Sequence, residues 1–343
     1  MTTPLFEVVE PGFLTTVQDL GRPDFAHLGV PRSGAADTWS AAVANVLLGN
    51  PPDAAVLECT IVGPSLQVLG DHVVALAGAD LGATVDPGGR RLAPGAVHRL
   101  SAGDELRMSG SGDPAVTGAR AYLAVPGGVD GTVVLGSRAT CLVAGFGGLD
   151  GRALRAGDVV YAVGPPPADR LVAVGRLAPG GPRWPIGADD PVLGASTVRV
   201  LAGPDTEPGD VAALAAADWA VSPASDRRGL RLDGPGPRSR VGAGERLTAG
   251  VLPGSVQLPP DGQPIVLLVD AQPTGGYPVV AVVIEADLPV VGQLAPGAAI
   301  RFVELSAAEA WNANAARRAS FESGWRALAE TAGRNGLWKP ADG

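Results

Sequence analysis

The chain has 343 residues, 46% of them hydrophobic and 18% charged, and a formal net charge of −9. It can fill a core, but it is longer than one core usually holds, so two domains are expected. An acidic balance without a basic stripe excludes nucleic-acid binding, no run of about 18 apolar residues is present for a membrane span, and a single lysine, Lys339, excludes Schiff-base, pyridoxal, phosphate-loop-lysine and biotin-carrier chemistry.

The N-terminus MTTPLFEVVE has neither a basic segment nor a long apolar one, so a cytoplasmic, bacterial-type protein is expected. Strand-like segments then follow one another: Leu5–Val9, Ala55–Ile61, Val73–Ala77, Glu105–Met108, Ala121–Val125, Val159–Val163, Thr197–Leu201, Pro264–Val269, Val279–Ile284 and Ala299–Leu305. They are short, rich in β-branched residues and bounded by Gly, Pro, Asp or Ser. With 49 glycines and 32 prolines to make turns, this is a mainly β chain. Helices are expected at Thr38–Leu48, capped by Asp37, at Asp210–Ala217, and from the capping box Ser306-Ala-Ala-Glu309 to Gly333. The last carries Trp311, Ala315, Arg318, Phe321, Trp325 and Leu328 at roughly helical spacing, a stripe suited to docking on a barrel or a partner. Proline-rich residues 166–191 read as a linker or long loop.

Two polar clusters stand out. In the first, Gln18, Asp19 and Arg22 surround a glycine turn, followed by Arg32-Ser33-Gly34 and Asp37. Arginine can clamp a carboxylate or phosphate with two prongs, although Asp19 and Arg22 can equally lock a turn, and Asp37 is most simply a helix cap. The second runs from Ser225-Asp-Arg-Arg228 through Gln257, Asp261, Gln263, Asp270 and Gln272 to Gly275-Gly276-Tyr277. Its amide side chains suit recognition of a small amide or carboxylate better than acid–base catalysis. The glycine pair lets backbone approach a ligand, and Tyr277 can stack or donate; a glycine-rich hairpin with solvated tips is the alternative. With three histidines, His27, His72 and His98, and two cysteines, Cys59 and Cys141, neither a metal site nor a disulfide framework is expected.

Several stretches in this order resemble one family. They are Pro11 to Arg22, Gly29 to Gly34, Ala44-Asn45, Gly49-Asn50 and Glu58 near the start. Tyr122 to Gly128, Gly136-Ser-Arg138, Gly147-Gly148 and Gly157-Asp158 follow. Arg228 to Leu232, Gln257, Asp261 to Pro264, Gly275 to Pro278 and Gln293 to Gly297 complete the set. The resemblance is to the biotin-dependent carboxyltransferase family, also called the allophanate hydrolase subunit 2 family, and spans about residues 5–305.

The resemblance implies two cyclophilin-like β-barrel domains, at 1–165 and 192–305, with a C-terminal helix at 306–333. It implies work with A-type and B-type partner subunits in an ATP-dependent 5-oxoprolinase that opens 5-oxo-L-proline to L-glutamate. An alternative is carboxyl transfer to urea or a similar small amide, with biotin carried on another chain. A third is a non-enzymatic regulator of a B-type partner. It further implies catalytic roles for Asp19, Arg22, Gln257 and Asp261, and substrate contacts from Gln18, Ser33, Asn45, Glu58, Arg228, Gln263, Gly275, Gly276 and Tyr277. Arg22 or Arg228 is expected to hold a carboxylate or phosphoryl group, with both polar clusters meeting in one cleft between the barrels.

Overall fold

The computed structural model describes residues 2–110, 118–164, 197–235 and 247–334. The expected linker at 166–191 lies outside them. The N-terminal half contributes β1 (Thr3–Glu10), β2 (Leu14–Gln18), β3 (Val56–Thr60), β4 (Ser65–Val68), β5 (His72–Gly78), β6 (Ala83–Asp86), β7 (Arg90–Arg91), β8 (Ala96–Leu100), β9 (Glu105–Met108), β10 (Arg120–Ala124) and β11 (Val159–Ala162). They form a six-stranded sheet in the order β11-β1-β4-β9-β6-β7 and a five-stranded sheet in the order β2-β3-β10-β5-β8. Successive side chains of a strand point to opposite faces. One set, including Phe6, Leu57, Leu66, Leu106 and Leu123, therefore meets in a shared core.

The C-terminal half contributes β12 (Thr197–Ala202), β13 (Trp219–Val221), β14 (Gly229–Asp233), β15 (Ala249–Gly250), β16 (Ser255–Gln257), β17 (Ile265–Leu267), β18 (Thr274–Gly275), β19 (Val279–Val283) and β20 (Ala299–Glu304). Seven of these close into a barrel, β12-β19-β16-β17-β14-β13-β20, and β15 pairs with β18 beside it. Closure removes the sheet edges, and alternate residues such as Leu230, Leu232, Ile300 and Phe302 fill the interior around Trp219. Among the described residues no strand pairs across the two halves.

Helices support and join the halves. In α1 (Thr38–Leu47) the Asp37 carboxylate accepts hydrogen bonds from the Ser40 amide (2.9 Å) and hydroxyl (2.5 Å). This helix covers the outer face of the five-stranded sheet, against Val56, Val73, Ala75 and Tyr122. The short α2 (Asp210–Ala215) packs on the barrel through Val211 and Leu214. In α3 (Leu288–Gln293), Gly292 lies so close to the start of α1 that an added Cβ would stand 2.2 Å from the Ala36 carbonyl oxygen.

The last helix, α4 (Ala307–Arg334), starts at the expected capping box, with Ser306 and Glu309 bonding each other's amides at 2.8 and 3.3 Å. It straps both halves. Ala310 packs with Ile284 and Ala286 of the C-terminal half, and Phe321 meets Trp39 of α1 edge-on at 5.1 Å, with Trp325 behind it at 6.1 Å. The inward row is Ala310, Asn314, Arg317, Phe321 and Gly324, one step round from the expected stripe. Trp311 therefore lies outside it, 73% exposed.

Candidate functional site

The site grows out of strand register. In the five-stranded sheet, β2, β3 and β10 align Leu14, Thr60 and Arg120 in one row and Thr16, Glu58 and Tyr122 in a row two residues on. Residues two apart on a strand share a face. Both rows lie on the outer face; α1 covers Tyr122, and the C-terminal half meets Glu58 and Arg120.

That half inserts Arg227. Its turn is pinned by Asp226, which accepts from the Arg228 amide and from Arg228 Nε, each at 2.8 Å. Arg227 then reaches across the seam. Its Nη1 donates to Glu58 Oε1, its Nη2 to the Gly34 carbonyl (2.6 Å) and its Nε to Asp270 Oδ2 (2.9 Å). Glu58 Oε2 also accepts from the Ala36 amide (2.8 Å) and the Tyr122 hydroxyl (2.9 Å). Arg120 joins from the other side, its Nε 3.6 Å from Glu58 Oε1 and its Nη1 on the Gly292 carbonyl of α3. Gln293 closes the ring, donating to Asp37 Oδ2 (2.7 Å) and the Arg120 carbonyl (2.9 Å) and accepting from the Arg120 amide (2.9 Å).

Two guanidiniums and two carboxylates, all buried, thus tie the halves together. Burial pushes the Glu58 carboxyl up, but Arg227 and Arg120 outweigh it and hold the group below its ordinary value. Burial likewise works against the Arg227 charge, and Asp270 and Glu58 overcome it. Asp37 differs: its burial outweighs its hydrogen bonds and raises its pKa.

In front of this seam is a cleft of about 270 Å³, walled by both halves. Phe13, Ile61, Leu142, Val143 and Leu294 supply apolar surface, whereas Thr60, Arg120, Asp270, Arg227 and Arg228 bring polar groups. Three buried polar atoms of this lining have no hydrogen-bond partner among the described residues: Thr60 Oγ1, Arg120 Nε and Asp270 Oδ1. Unpaired buried polar atoms are disfavoured, which distinguishes this wall from the rest of the seam. Ile61 adds backbone strain beside Thr60. It is β-branched, yet has a φ of 61°, in the left-handed region that such residues rarely adopt. Its amide is held by the Ala119 carbonyl at 2.7 Å, which fixes the Thr60–Ile61 wall against β10.

Most of the residues singled out in the sequence fall elsewhere. Asp19 is a turn lock: its oxygens accept from the Gly21 amide (2.7 Å), the Ser137 hydroxyl (2.6 Å) and the Arg138 amide (2.5 Å). Arg22 is buried under Phe146 and bonds the carbonyls of Val134, Ser137 and Ala139 at 3.3, 3.4 and 2.6 Å. Gln18 joins Thr16, Thr140 and the Gly34 amide, and Asn45 braces the end of α1 on the Ala54 carbonyl (2.7 Å) and on Asn50. Gln263 pairs with both backbone groups of Gly234, and Asp261 accepts from the Gln263 amide.

Ser33, at a φ of 52°, and Gln257 keep an unpaired Oγ and Nε2 among the described residues, but neither lines the cleft. Gly275 stands against Gln257, an added Cβ lying 2.5 Å from its Nε2. Gly276 is exposed, as is Tyr277. The two polar clusters therefore do not meet in this cleft. Their glycine turns let the side chains bond nearby backbone instead, and the second cluster reaches the lining only through its Ser225–Arg228 turn and Asp270. Glu58 lies behind the cleft and positions Arg120 and Arg227. Sequence reading missed Thr60 and Arg120, and took in Arg227 only as part of the Ser225–Arg228 run. A signal was present: Glu58 and Thr60, and Arg120 and Tyr122, put polar groups two apart inside apolar strands.

A mainly β protein of two sealed halves, with a small amphipathic cleft at their seam, is the class that fold and site define. The sequence profile of the carboxyltransferase domain, subdomains A and B, matches residues 28–304. The chain is 36% identical over 326 residues to the C subunit of 5-oxoprolinase from Escherichia coli, covering 94% of this chain and 98% of that one. It is 33% identical to urea amidolyase of Lachancea kluyveri over 88% of this chain, but spans only 17% of that protein. The crystal structure of Kluyveromyces lactis urea carboxylase superposes with a TM-score of 0.78 at 30% identity, over 93% of this chain and 29% of that one. The chain belongs to the carboxyltransferase-domain family.

Proposed function

We propose that this chain is the C component of an ATP-dependent 5-oxoprolinase, working in the cytoplasm with A-type and B-type partners to open 5-oxo-L-proline to L-glutamate. The observation that carries the reading is the chemistry of the cleft. A lactam presents an amide edge, with a carbonyl acceptor and an N–H donor, and a hydrocarbon edge opposite. Thr60, Arg120 and Asp270 line the cleft beside an apolar wall from Phe13, Ile61 and Val143, and the Thr60 hydroxyl, Arg120 Nε and Asp270 Oδ1 have no hydrogen-bond partner among the described residues. Its volume of about 270 Å³ is just under the range of roughly 300–1,000 Å³ usual for ligand pockets, which suits a small ring.

In this reading Thr60 and Arg120 bond the lactam oxygen and draw charge toward it, so the ring carbonyl becomes more electrophilic. Asp270 accepts the ring N–H and fixes the orientation. Among the described residues the lining contains no histidine, cysteine or lysine, so the cleft orients and polarises. ATP is consumed in the complex. The similarity to urea carboxylase favours a second reading, carboxyl transfer to a small amide from biotin on another chain. Urea, polar on every side, leaves the apolar wall unmatched.

The test is to purify the chain with its A- and B-type partners and follow ATP-coupled glutamate release. Thr60→Val should keep the complex intact and lower the rate at least ~10-fold, as expected for a lost hydrogen bond in the transition state. Full activity of Thr60→Val, or transfer from carboxybiotin with no glutamate release, would contradict the proposal.

A further inference from the structure

Among the charged side chains of the lining, Arg228 has donors that neither the described residues nor the amide edge of a lactam uses. Arg228 lines it, and its side chain is 59% exposed. Its Nε is held by Asp226 Oδ2 at 2.8 Å, and the same carboxylate accepts from its backbone amide. The Arg228 carbonyl receives the Leu268 amide at 2.9 Å, which ties the turn to the end of β17. The stem and Nε are therefore fixed, while Nη1 and Nη2 make no hydrogen bond with any described residue. A guanidinium with a free two-nitrogen edge is pre-organised for a carboxylate, which accepts in the same planar, two-pronged geometry. Its neighbour Arg227 has no such edge, because all three of its nitrogens are committed to Glu58, Gly34 and Asp270.

Resting on the lactam reading above, we infer that Arg228 is the specificity-determining residue of the cleft. It reads a carboxylate carried next to the lactam nitrogen and so separates 5-oxo-L-proline from lactams and small amides without an acid group. Asp226 is the positioning residue that aims it. Asp226 also sets the limit of the effect, since its negative charge lowers the pull on a ligand carboxylate relative to a lone arginine. The preference therefore comes from geometry as much as from charge.

The experiment compares two ligands on the purified full chain by calorimetry, 5-oxo-L-proline and 2-pyrrolidinone, which is the same ring without the carboxylate. Wild type should bind the acid more tightly. Arg228→Gln should weaken 5-oxo-L-proline at least ~10-fold, the loss of one charge-assisted pair, and leave 2-pyrrolidinone where it was. Asp226→Asn should weaken the acid alone, by less. Thr60→Val should weaken both ligands together. Equal effects of Arg228→Gln on the two ligands, or none on either, would overturn the assignment to Arg228 and leave the lactam reading standing. Failure of wild type to bind either ligand would overturn the lactam reading and this inference with it. Inorganic phosphate serves as a third probe: if Arg228→Gln weakens phosphate but not 5-oxo-L-proline, Arg228 reads phosphoryl groups, and the inference is wrong.

Discussion

At Glu58, three hydrogen-bond donors and the Arg120 guanidinium at 3.6 Å surround one buried carboxylate, and one of the donors, Arg227, comes from the other half of the molecule. Removing one partner of a buried ion pair leaves the other charge stranded, at a cost of about 3–5 kcal/mol. Glu58→Gln should lower stability by that order in a urea titration at neutral pH. Its pH dependence follows from the depressed carboxyl. In the folded protein Glu58 binds a proton less readily than in the unfolded chain. Its contribution is therefore present above the ordinary value of 4.5 and is lost as pH falls toward the folded value. The stability gap between wild type and Glu58→Gln should narrow below about pH 4.5, and a constant gap down to about pH 3 would contradict this.

Thr60 gives the opposite result, because its buried hydroxyl is unpaired among the described residues. Thr60→Val should hold or raise the melting temperature while ligand binding falls, a divergence that a purely structural residue does not produce. Cys59, on the inner face of β3, is buried and its thiol is pushed up to about 12 by burial. Together with buried Cys141 it should resist alkylation at about pH 8 until the protein unfolds. Rapid labelling of the native chain would count against this packing.

Among the elements, α3 meets the start of α1 beside the seam, and their contact is backbone to backbone. Gly292→Ala should push α3 from Ala36 and strain the Arg120–Gly292 and Gln293–Asp37 contacts. A fall in melting temperature together with weaker ligand binding is expected, and unchanged values for both would mean that the close approach does not matter. Much of this level was legible in the sequence. Glu105–Met108 matches its expected span, and the helix capped by Asp37 ends one residue before its expected limit. Capping chemistry and β-branched runs are local signals. The missed elements lack them: α3 has Pro289 in its first turn and Gly292 inside it, and β4 and β16 are too short to show a period. The cleft was illegible for a related reason. Thr60 faces Arg120 only because β3 and β10 pair in one register, and Arg227 rather than Arg228 enters the seam because the turn at Asp226 sets which residue points inward. Neither fact is local to a stretch of chain.

For the whole molecule, the halves share no sheet among the described residues, so the cleft depends on what clamps them: the Arg227–Glu58 junction, the α1–α3 contact and the α4 strap. Arg317 stacks over Trp39 at 3.9 Å, and Phe321 packs beside it, so truncation before Ala307 should expose Trp39 and redden its fluorescence without unfolding either core. The central claim is that the seam cleft takes the amide edge of a small ring. Its most direct test is a crystal structure of the full chain with 5-oxo-L-proline. The ring nitrogen should lie within about 2.7–3.2 Å of Asp270 Oδ1, with the lactam oxygen facing Thr60 and Arg120. A ligand bound outside the cleft, or seated with its amide edge against Phe13 and Val143, would contradict the account.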